Sequence, residues 1–541
     1  MKKQWDRRSF LKTVGAGVAA LPFAGMTAAK AAEDDRPNIV VIMADDMGYS
    51  DVGCYGGEID TPNLDGLAEN GLRFTQFYNA GRCVPTRGSL LTGLYPHQAG
   101  LGAMVGAGDA PGYRGRLTDR CVTMGEVLGE AGYQTFISGK WHVTHYNYGD
   151  PAPTLHRDTW PLQRGFDRFY GRLSGASGYF DVVSLTKGNA FIPSQPRFEA
   201  RDEFYLTDEI NDHAAKFVRE AEEDEPLFLY VGHSAPHWPL HALPEDIAKY
   251  DGVYDKGWDE VRRRRQERMV EMGILDEDWP LTPRDERVPA WENAEHKEWE
   301  ARRMAVHAAM VDRMDQGIGR VIDALKETGR FENTLILFLS DNGASDEVIQ
   351  GKDTRHGYFA RGGTDPDILP GGPDTYASFG PEWANASNTP FRLYKKWNHE
   401  GGVATPLIAH WPKVITEQGA LRHEPGHIID IMATAVDIAG AEYPETFNGN
   451  DILPMEGVSL VPAFNGESLE REEPIYFEHM GNRAIRDGRW KLVSEQGGEW
   501  ELYDMEADRV ELNNLAEEHP ERAERMREMW NEWAERAYVR R

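Results

Sequence analysis

Hydrophobic positions along the chain gather into short unbroken runs, with few long alternations. Five runs stand out: Asn38-Ile-Val-Val-Ile-Met43, Thr135-Phe-Ile-Ser138, Leu227-Phe-Leu-Tyr-Val231, Thr334-Leu-Ile-Leu-Phe-Leu339 and Pro406-Leu-Ile-Ala-His-Trp411. Each ends in polar or small residues, and continuous hydrophobicity predicts strands covered on both faces, as in a parallel sheet. Helical periodicity lies between them, over 126–131, 207–222 and 427–439. The clearest helix is 299–328, where Met304, Ala308, Val311, Ile318, Ile322 and Leu325 share one face. Strand–helix alternation of this kind predicts an α/β fold, a large mixed and mostly parallel sheet sandwiched by helices with right-handed crossovers.

The C-terminal pattern differs. Residues 483–493 and 500–503 predict antiparallel strands, with turns at Asp487-Gly488 and Gly497-Gly498. A helix over 520–538 would turn Met526, Met529, Trp530, Trp533 and Ala537 toward a core. The expected division is a main domain at 36–465 and a small α+β subdomain at 470–541, linked by the Pro- and Gly-containing stretch near 444–473. No internal repeat is visible.

Charge narrows the partners. The 541 residues carry 59 Lys+Arg against 89 Asp+Glu, a formal charge of −30, which argues against nucleic acid or an anionic membrane as partner. An anionic substrate would need a local cluster of cations working against this field; the surplus itself reads as an adaptation to solubility or salinity. The run Arg262–Arg265 is flanked by acids on a helical pattern and predicts a solvated face. The Gly-rich stretch 100–115 neither follows a strand nor opens a helix, so it predicts a long surface loop and not a phosphate loop.

Residues 1–31 read as a twin-arginine signal peptide. Asp6-Arg7-Arg8-Ser9-Phe10-Leu11-Lys12 precedes the apolar stretch Val14–Met26, and Ala29-Lys30-Ala31 offers a small-residue cleavage site. The apolar stretch is shorter than the roughly 20 residues a membrane span needs. The expectation is export by the twin-arginine machinery to the periplasm or outside, with no transmembrane anchor. Three cysteines, Cys54, Cys83 and Cys121, make neither a disulfide framework nor a zinc cluster. A Cys54–Cys121 bridge would leave Cys83 over.

Ligands in open α/β sheets bind beyond the carboxyl ends of the strands. There the runs end in Asp45-Asp46, Lys140-Trp141-His142, His237 within Ala235-Pro-His-Trp-Pro239, and Asp341-Asn342, while Lys395-Lys396-Trp-Asn-His-Glu400-Gly-Gly precedes the fifth. Adjacent acids often cap a helix, and a lone His is usually satisfied in a core. Five polar clusters on one edge of one sheet are harder to explain that way. Asp45, Asp46, Asp341 and Asn342 supply hard oxygen ligands, which suit Ca²⁺ or Mg²⁺ and do not suit zinc.

The stretch Cys83-Val84-Pro85-Thr86-Arg87-Gly88-Ser89-Leu90-Leu91-Thr92-Gly93 resembles the signature of the formylglycine-dependent sulfatases, of arylsulfatase type within the alkaline-phosphatase superfamily. The likeness continues through Arg36-Pro-Asn-Ile-Val, Asp45-Asp46-Met-Gly, Thr61-Pro-Asn-Leu-Asp65, Gly139-Lys-Trp-His142, Arg164-Gly-Phe-Asp167, Ser340-Asp-Asn-Gly343, His399-Glu-Gly-Gly402 and Trp500-Glu-Leu-Tyr-Asp504. The resemblance implies hydrolysis of sulfate esters with release of inorganic sulfate. It implies that a formylglycine-generating or sulfatase-maturing enzyme oxidises Cys83 to formylglycine, whose hydrate is the nucleophile. Cys83 would also face a divalent metal held by Asp45, Asp46, Asp341 and Asn342, and Asp341 would help deprotonate the hydrate. Arg87 and Lys140 would hold the hydrate and the sulfuryl charge, and His142 would accept the proton in the elimination step. His237 and Lys395 would bind sulfate and protonate the leaving oxygen; Lys395 is preferred to Lys396 because it lies five residues before Glu400.

Relatives with the same motif hydrolyse phosphonate monoesters or phosphodiesters, but Lys140, His142, His237 and Lys395 together favour sulfate. With Cys83 unmodified, the same pocket would make a non-catalytic binder of sulfated glycans. The substrate expected is a sulfated small molecule or glycan, selected by the loops 100–116, 146–194 and 345–391.

Overall fold

The computed structural model describes residues 35–106, 108–145, 156–192, 204–349 and 365–540. The signal-peptide reading of 1–31 lies outside the described residues, as do 146–155, 193–203 and 350–364, which include parts of two expected specificity loops.

All five apolar runs become strands. Among the described residues one sheet is built from β1 (Asn38–Asp45), β2 (Leu72–Tyr78), β3 (Gln134–Lys140), β4 (Arg168–Arg172), β5 (Leu185–Lys187), β6 (Ala190–Phe191), β7 (Leu227–Pro236), β8 (Thr334–Ser340), β9 (Ala404–His410), β10 (Ala420–Arg422) and β11 (Gly426–His427). Their order is β10-β2-β9-β8-β1-β7-β3-β4-β5-β6, with β11 also on β2. The central strands β8, β1, β7, β3 and β4 are parallel neighbours. The fifth apolar run corrects the parallel expectation: β9 is antiparallel to both β8 and β2. The chain between β8 and β9 returns to the edge where β8 ends, as the Gly343 N–H to Gly402 carbonyl bond shows, so β9 must run back. β2 was not expected from the pattern, because the half-buried Arg73 and Gln76 interrupt its apolar residues.

Unbroken hydrophobicity has a direct cause in the layers. Val40, Ile42 and Ala44 enter the core on one face, and Ile39, Val41 and Met43 enter the core on the other. The first face is covered by helices Leu206–Arg219 and Lys297–Glu327, the second by helices Cys83–Thr92, Met124–Glu130 and Asp430–Ala439. Each Val, Leu or Ile buried this way contributes about 1.5–3 kcal/mol. The six residues expected on the inner face of the long helix are all buried.

The reading of the basic run is corrected. The basic run is not a solvated face: Arg263 and Arg264 are exposed, but Arg262 and Arg265 are buried, and Arg265 pairs with Asp51 at 2.8 Å and Glu58 at 2.7 Å. Residues three apart on a helix share a face, so a four-residue run presents two sides. Cys54, Cys83 and Cys121 are all free and buried, so the Cys54–Cys121 bridge is not formed.

Towards the C-terminus, a hairpin of β12 (Thr446–Phe447) and β13 (Asn450–Asp451) precedes an antiparallel sheet of β14 (Ile475–His479), β15 (Asn482–Asp487), β16 (Trp490–Ser494) and β17 (Trp500–Asp504). Helix Pro520–Arg536 buries Met526, Trp530 and Trp533 against it, with Met529 half-buried. Residues 36–541 form one compact unit. No helix among the described residues is long and apolar enough to cross a membrane.

Candidate active site

The carboxyl edge of the sheet collects the residues singled out by sequence. β1 ends in Asp45 with Asp46 next, β3 ends in Lys140 two residues before His142, His237 follows β7, and Asp341 and Asn342 follow β8. Cys83 opens the helix Cys83–Thr92, which follows β2 through a link of four residues. That link is fixed locally: Gly81, at φ +73°, donates its N–H to Asn79 Oδ1 at 2.7 Å, and Ala80 donates to Thr86 Oγ1 at 2.9 Å. The helix thus sets the positive end of its dipole at Cys83, a favourable place for an anion.

One turn on, Arg87 lies beneath this point and is fully buried. It donates to Asp341 Oδ2 from Nε and Nη2 (3.0 and 2.8 Å), to the Tyr230 hydroxyl at 2.8 Å, and to the carbonyls of Lys140 and His233. Lys140 donates to Asp45 Oδ2. Asp46 accepts from Asn342 Nδ2 at 2.7 Å and Lys395 Nζ at 2.8 Å, and its Oδ2 lies 3.5 Å from His237 Nε2. Arg87, Lys140 and the carboxylates therefore form the floor, while Cys83, His142, His237 and Lys395 line the cleft above it. The cleft measures about 580 Å³, in the range of small-ligand sites. Its walls come from the loops expected to carry specificity: Met104 and Val105, Gly175 and Ala176, and Asp346, Glu347, Val348 and Ile349. The Gly-rich stretch is accordingly a half-buried wall and not a free surface loop.

The floor fits a hard cation. Asp45 Oδ1 and Asn342 Oδ1 are buried with no hydrogen-bond partner. Asp45, Asp46 and His237 each offer a ligand atom within 4.8 Å of the others; Asp341 and Cys83 are not part of that group. His237 Nδ1 sits 2.6 Å from the Trp238 carbonyl and so must carry its proton there. That leaves the Nε2 lone pair facing a carboxylate oxygen, an arrangement a positive charge between them would reconcile.

Burial and charge set the protonation states. Burial, with Asp45 adding to it, pushes Asp341 above the usual carboxylate range against the pull of Arg87. Asp45 is also penalised by burial, but Lys140, His237, Arg87 and Lys395 together hold it well below the usual carboxylate range. Burial, and then Lys140, push the His142 imidazole well below its ordinary value, and burial brings His237 down to about 4 despite Asp46. Both rings are therefore neutral near pH 7. Burial opposes the charge on Lys395, yet Asp46 and Glu347 hold its ammonium well above the ordinary lysine value. Burial raises the Cys83 thiol, which as such would be a poor nucleophile.

Structure separates the two adjacent lysines. Lys395 is buried on Asp46, whereas Lys396 is partly exposed and reaches Glu347 at 3.4 Å. Glu347 and Tyr230 are site residues that sequence reasoning missed. Glu347 takes Arg82 at 3.2 Å and the Trp238 indole N–H at 2.8 Å in addition to the lysines. Nothing in its loop marks it. Tyr230 did carry a signal: a phenol within a fully buried strand must find a polar partner, here Arg87.

The sulfatase family model matches residues 37–441. The chain belongs to the sulfatase family. This sulfatase also matches the model described as N-sulphoglucosamine sulphohydrolase, C-terminal, over residues 391–537. It is 35% identical to an uncharacterized sulfatase of Schizosaccharomyces pombe over 93% of its own length and 94% of that protein, and 35% identical to the arylsulfatase of Klebsiella aerogenes over 83% and 96%. Among solved structures, Ps i-CgsB in complex with k-i-k-neocarrahexaose superposes with a TM-score of 0.65 at 26% identity, covering 92% of this chain and 93% of that one. The phosphonate monoester hydrolase of Agrobacterium radiobacter shares the fold, with a TM-score of 0.57 at 19% identity over 93% of this chain and 96% of that one. The sulfatase is thus a sulfuric ester hydrolase.

Proposed function

We propose that this sulfatase acts through a formylglycine made from Cys83 beside a divalent cation, Ca²⁺ or Mg²⁺, held by Asp45, Asp46, Asp341 and Asn342. The observation that carries this reading is the meeting of Cys83, His142, His237 and Lys395 on one cleft, above buried carboxylate and amide oxygens that lack a partner. A hydrated aldehyde at position 83 supplies a hydroxyl for attack on sulfur and a second from which the aldehyde is regenerated, and the cation supplies charge to the sulfuryl oxygens. The chain's own residues do the rest. The helix N-terminus and the Lys395 ammonium draw the sulfate group down despite the acidic surface. Arg87 holds Asp341, and Lys140 holds Asp45, in fixed orientations. Neutral His142, with Nδ1 unpartnered, accepts a proton at the nucleophile's side, and Lys395 meets the charge that develops on the leaving oxygen as its bond to sulfur breaks. Contributions of this kind are each worth about 10²–10⁴-fold in rate.

The reading extends to the whole chain: export by the twin-arginine route after residues 1–31, a maturing enzyme for Cys83, a catalytic domain at 36–465 and a subdomain at 470–541. The substrate is a sulfated small molecule or glycan. Two measurements test the chemistry. Mass spectrometry of the peptide containing residue 83, from protein of the native host, should show the aldehyde in place of the thiol, and Cys83→Ala should lose turnover of 4-nitrophenyl sulfate with an unchanged melting curve. Faster cleavage of a phenyl phosphonate than of phenyl sulfate would favour the phosphonate reading, and an unmodified thiol with no turnover would favour a sulfated-glycan binder.

A further inference from the structure

The segment carrying Lys395 is held in part by the C-terminal sheet. Lys395 and Lys396 donate their backbone N–H groups to the carbonyls of Ala344 (3.1 Å) and Gly81 (2.8 Å), which tie them to the loop after β8 and to the turn before Cys83. Lys396 has φ +88°, a region that favours glycine, so its peptide does not stay there without support. The support on its carbonyl is a side chain of the C-terminal sheet. Asn482, at the start of β15 and 3% exposed, donates from Nδ2 to the Lys396 carbonyl at 3.0 Å and to the His479 carbonyl at 3.2 Å, while its Oδ1 accepts from the Gln496 N–H at 3.2 Å. The bond is reciprocated, because Asn398 Nδ2 donates to the Asn482 carbonyl at 2.8 Å. Behind it, the fully buried Glu400 is gripped by Lys491 of β16 at 2.8 Å and by Arg509 at 3.2 Å. Beside the ion pairs of the two ammonium groups with Asp46 and Glu347, two of the three ties on the Lys395-Lys396 backbone are main chain to main chain. The third rests on one amide.

We propose that Asn482 is a positioning residue for Lys395, and that the C-terminal subdomain completes the active site by holding the Lys395–Glu400 segment through it. The proposal rests on the reading of Lys395 as the group that faces the leaving oxygen. Loss of the amide frees a strained peptide next to Lys395 and lets the ammonium drift from the leaving oxygen, and a displacement of about 1 Å can cost on the order of a hundredfold in rate. The loss should fall hardest on esters whose leaving oxygen most needs help.

The test compares kcat and KM on phenyl sulfate and 4-nitrophenyl sulfate for the full-length matured enzyme and three variants. Lys395→Ala should lose kcat about tenfold more on phenyl sulfate than on 4-nitrophenyl sulfate. Asn482→Ala should shift that ratio in the same direction, with KM little changed. Val493→Ala, which opens a cavity in the core beneath β16, should lower the melting temperature and leave the ratio alone. A wild-type ratio in Asn482→Ala, with a shifted one in Lys395→Ala, overturns the proposal, as does an equal shift in Val493→Ala. A wild-type ratio in Lys395→Ala as well removes the reading of Lys395 itself, and the proposal with it. Should Asn482→Ala not accumulate as folded protein, Asn398→Ala removes the reciprocal bond and is read by the same ratios.

Discussion

Lys395 and Lys396 differ by one position and by almost everything physical. Lys395 is buried against Asp46, and Lys396 is partly exposed beside Glu347. Replacing Lys395 by Ala should lower kcat by about 10²–10³-fold, since it removes a charge next to the reacting centre. Replacing Lys396 should raise KM a few-fold and spare kcat, because its contribution is electrostatic and reaches only the rim; steady-state kinetics on an aryl sulfate separates the two. Sequence spacing chose Lys395 only through a family likeness, because nothing local distinguishes two neighbouring lysines until a backbone bend turns one inward. Cys83, His142, His237 and the acids were legible because each stands at the end of an apolar run or inside a dense motif. Glu347 was not, since it works from a loop whose course no periodicity encodes.

Among the elements, the strands of the five unbroken apolar runs were legible because both of their faces are buried. β2 has the half-buried Arg73 and Gln76 among its apolar residues, and β14, though buried along its length, ends in Glu478-His479, so neither resembles an apolar run. The direction of β9 depended on where the preceding chain returned, which no window of residues contains. The helix Gly257–Glu271 shows how a charged pattern conceals burial. Its Arg265 reaches Asp51, which also faces His307 at 3.0 Å. Burial opposes the Asp51 charge, but His307 and Arg265 outweigh it and hold the carboxyl down at about 2, below its ordinary 3.8. A depressed acid contributes stability above its unfolded pKa and loses it as pH falls through the folded one. The Asp51 contribution should therefore be complete above about pH 4 and vanish toward pH 2, with a pH-dependent part on the order of 2 kcal/mol. Urea midpoints of wild type and Asp51→Asn over this range should converge as pH falls.

At the scale of the molecule, a chain of net −30 and an anionic substrate are reconciled by burying the cations at one edge of the sheet. The same edge concentrates Asp45, Asp46 and Asp341, and a bound divalent cation would relieve their mutual repulsion. Dialysis of the enzyme against EDTA should lower its melting temperature as well as its activity, and Ca²⁺ or Mg²⁺ should restore both; a melting curve indifferent to chelation and re-addition would count against the cation site.

The free, buried thiols bear on the protein's life history. A chain without disulfides needs no oxidising compartment in order to fold. Cys83 is 2% exposed at the base of its cleft, beyond the reach of another protein's catalytic groups once the helix Cys83–Thr92 has docked. On the proposed formylglycine reading, a modifying enzyme would have to meet this segment while it is still extended, and the chemistry at residue 83 would race the chain's own collapse. Slowing the folding of this region should then raise the fraction of molecules that carry the aldehyde, as read by mass spectrometry of the peptide containing residue 83.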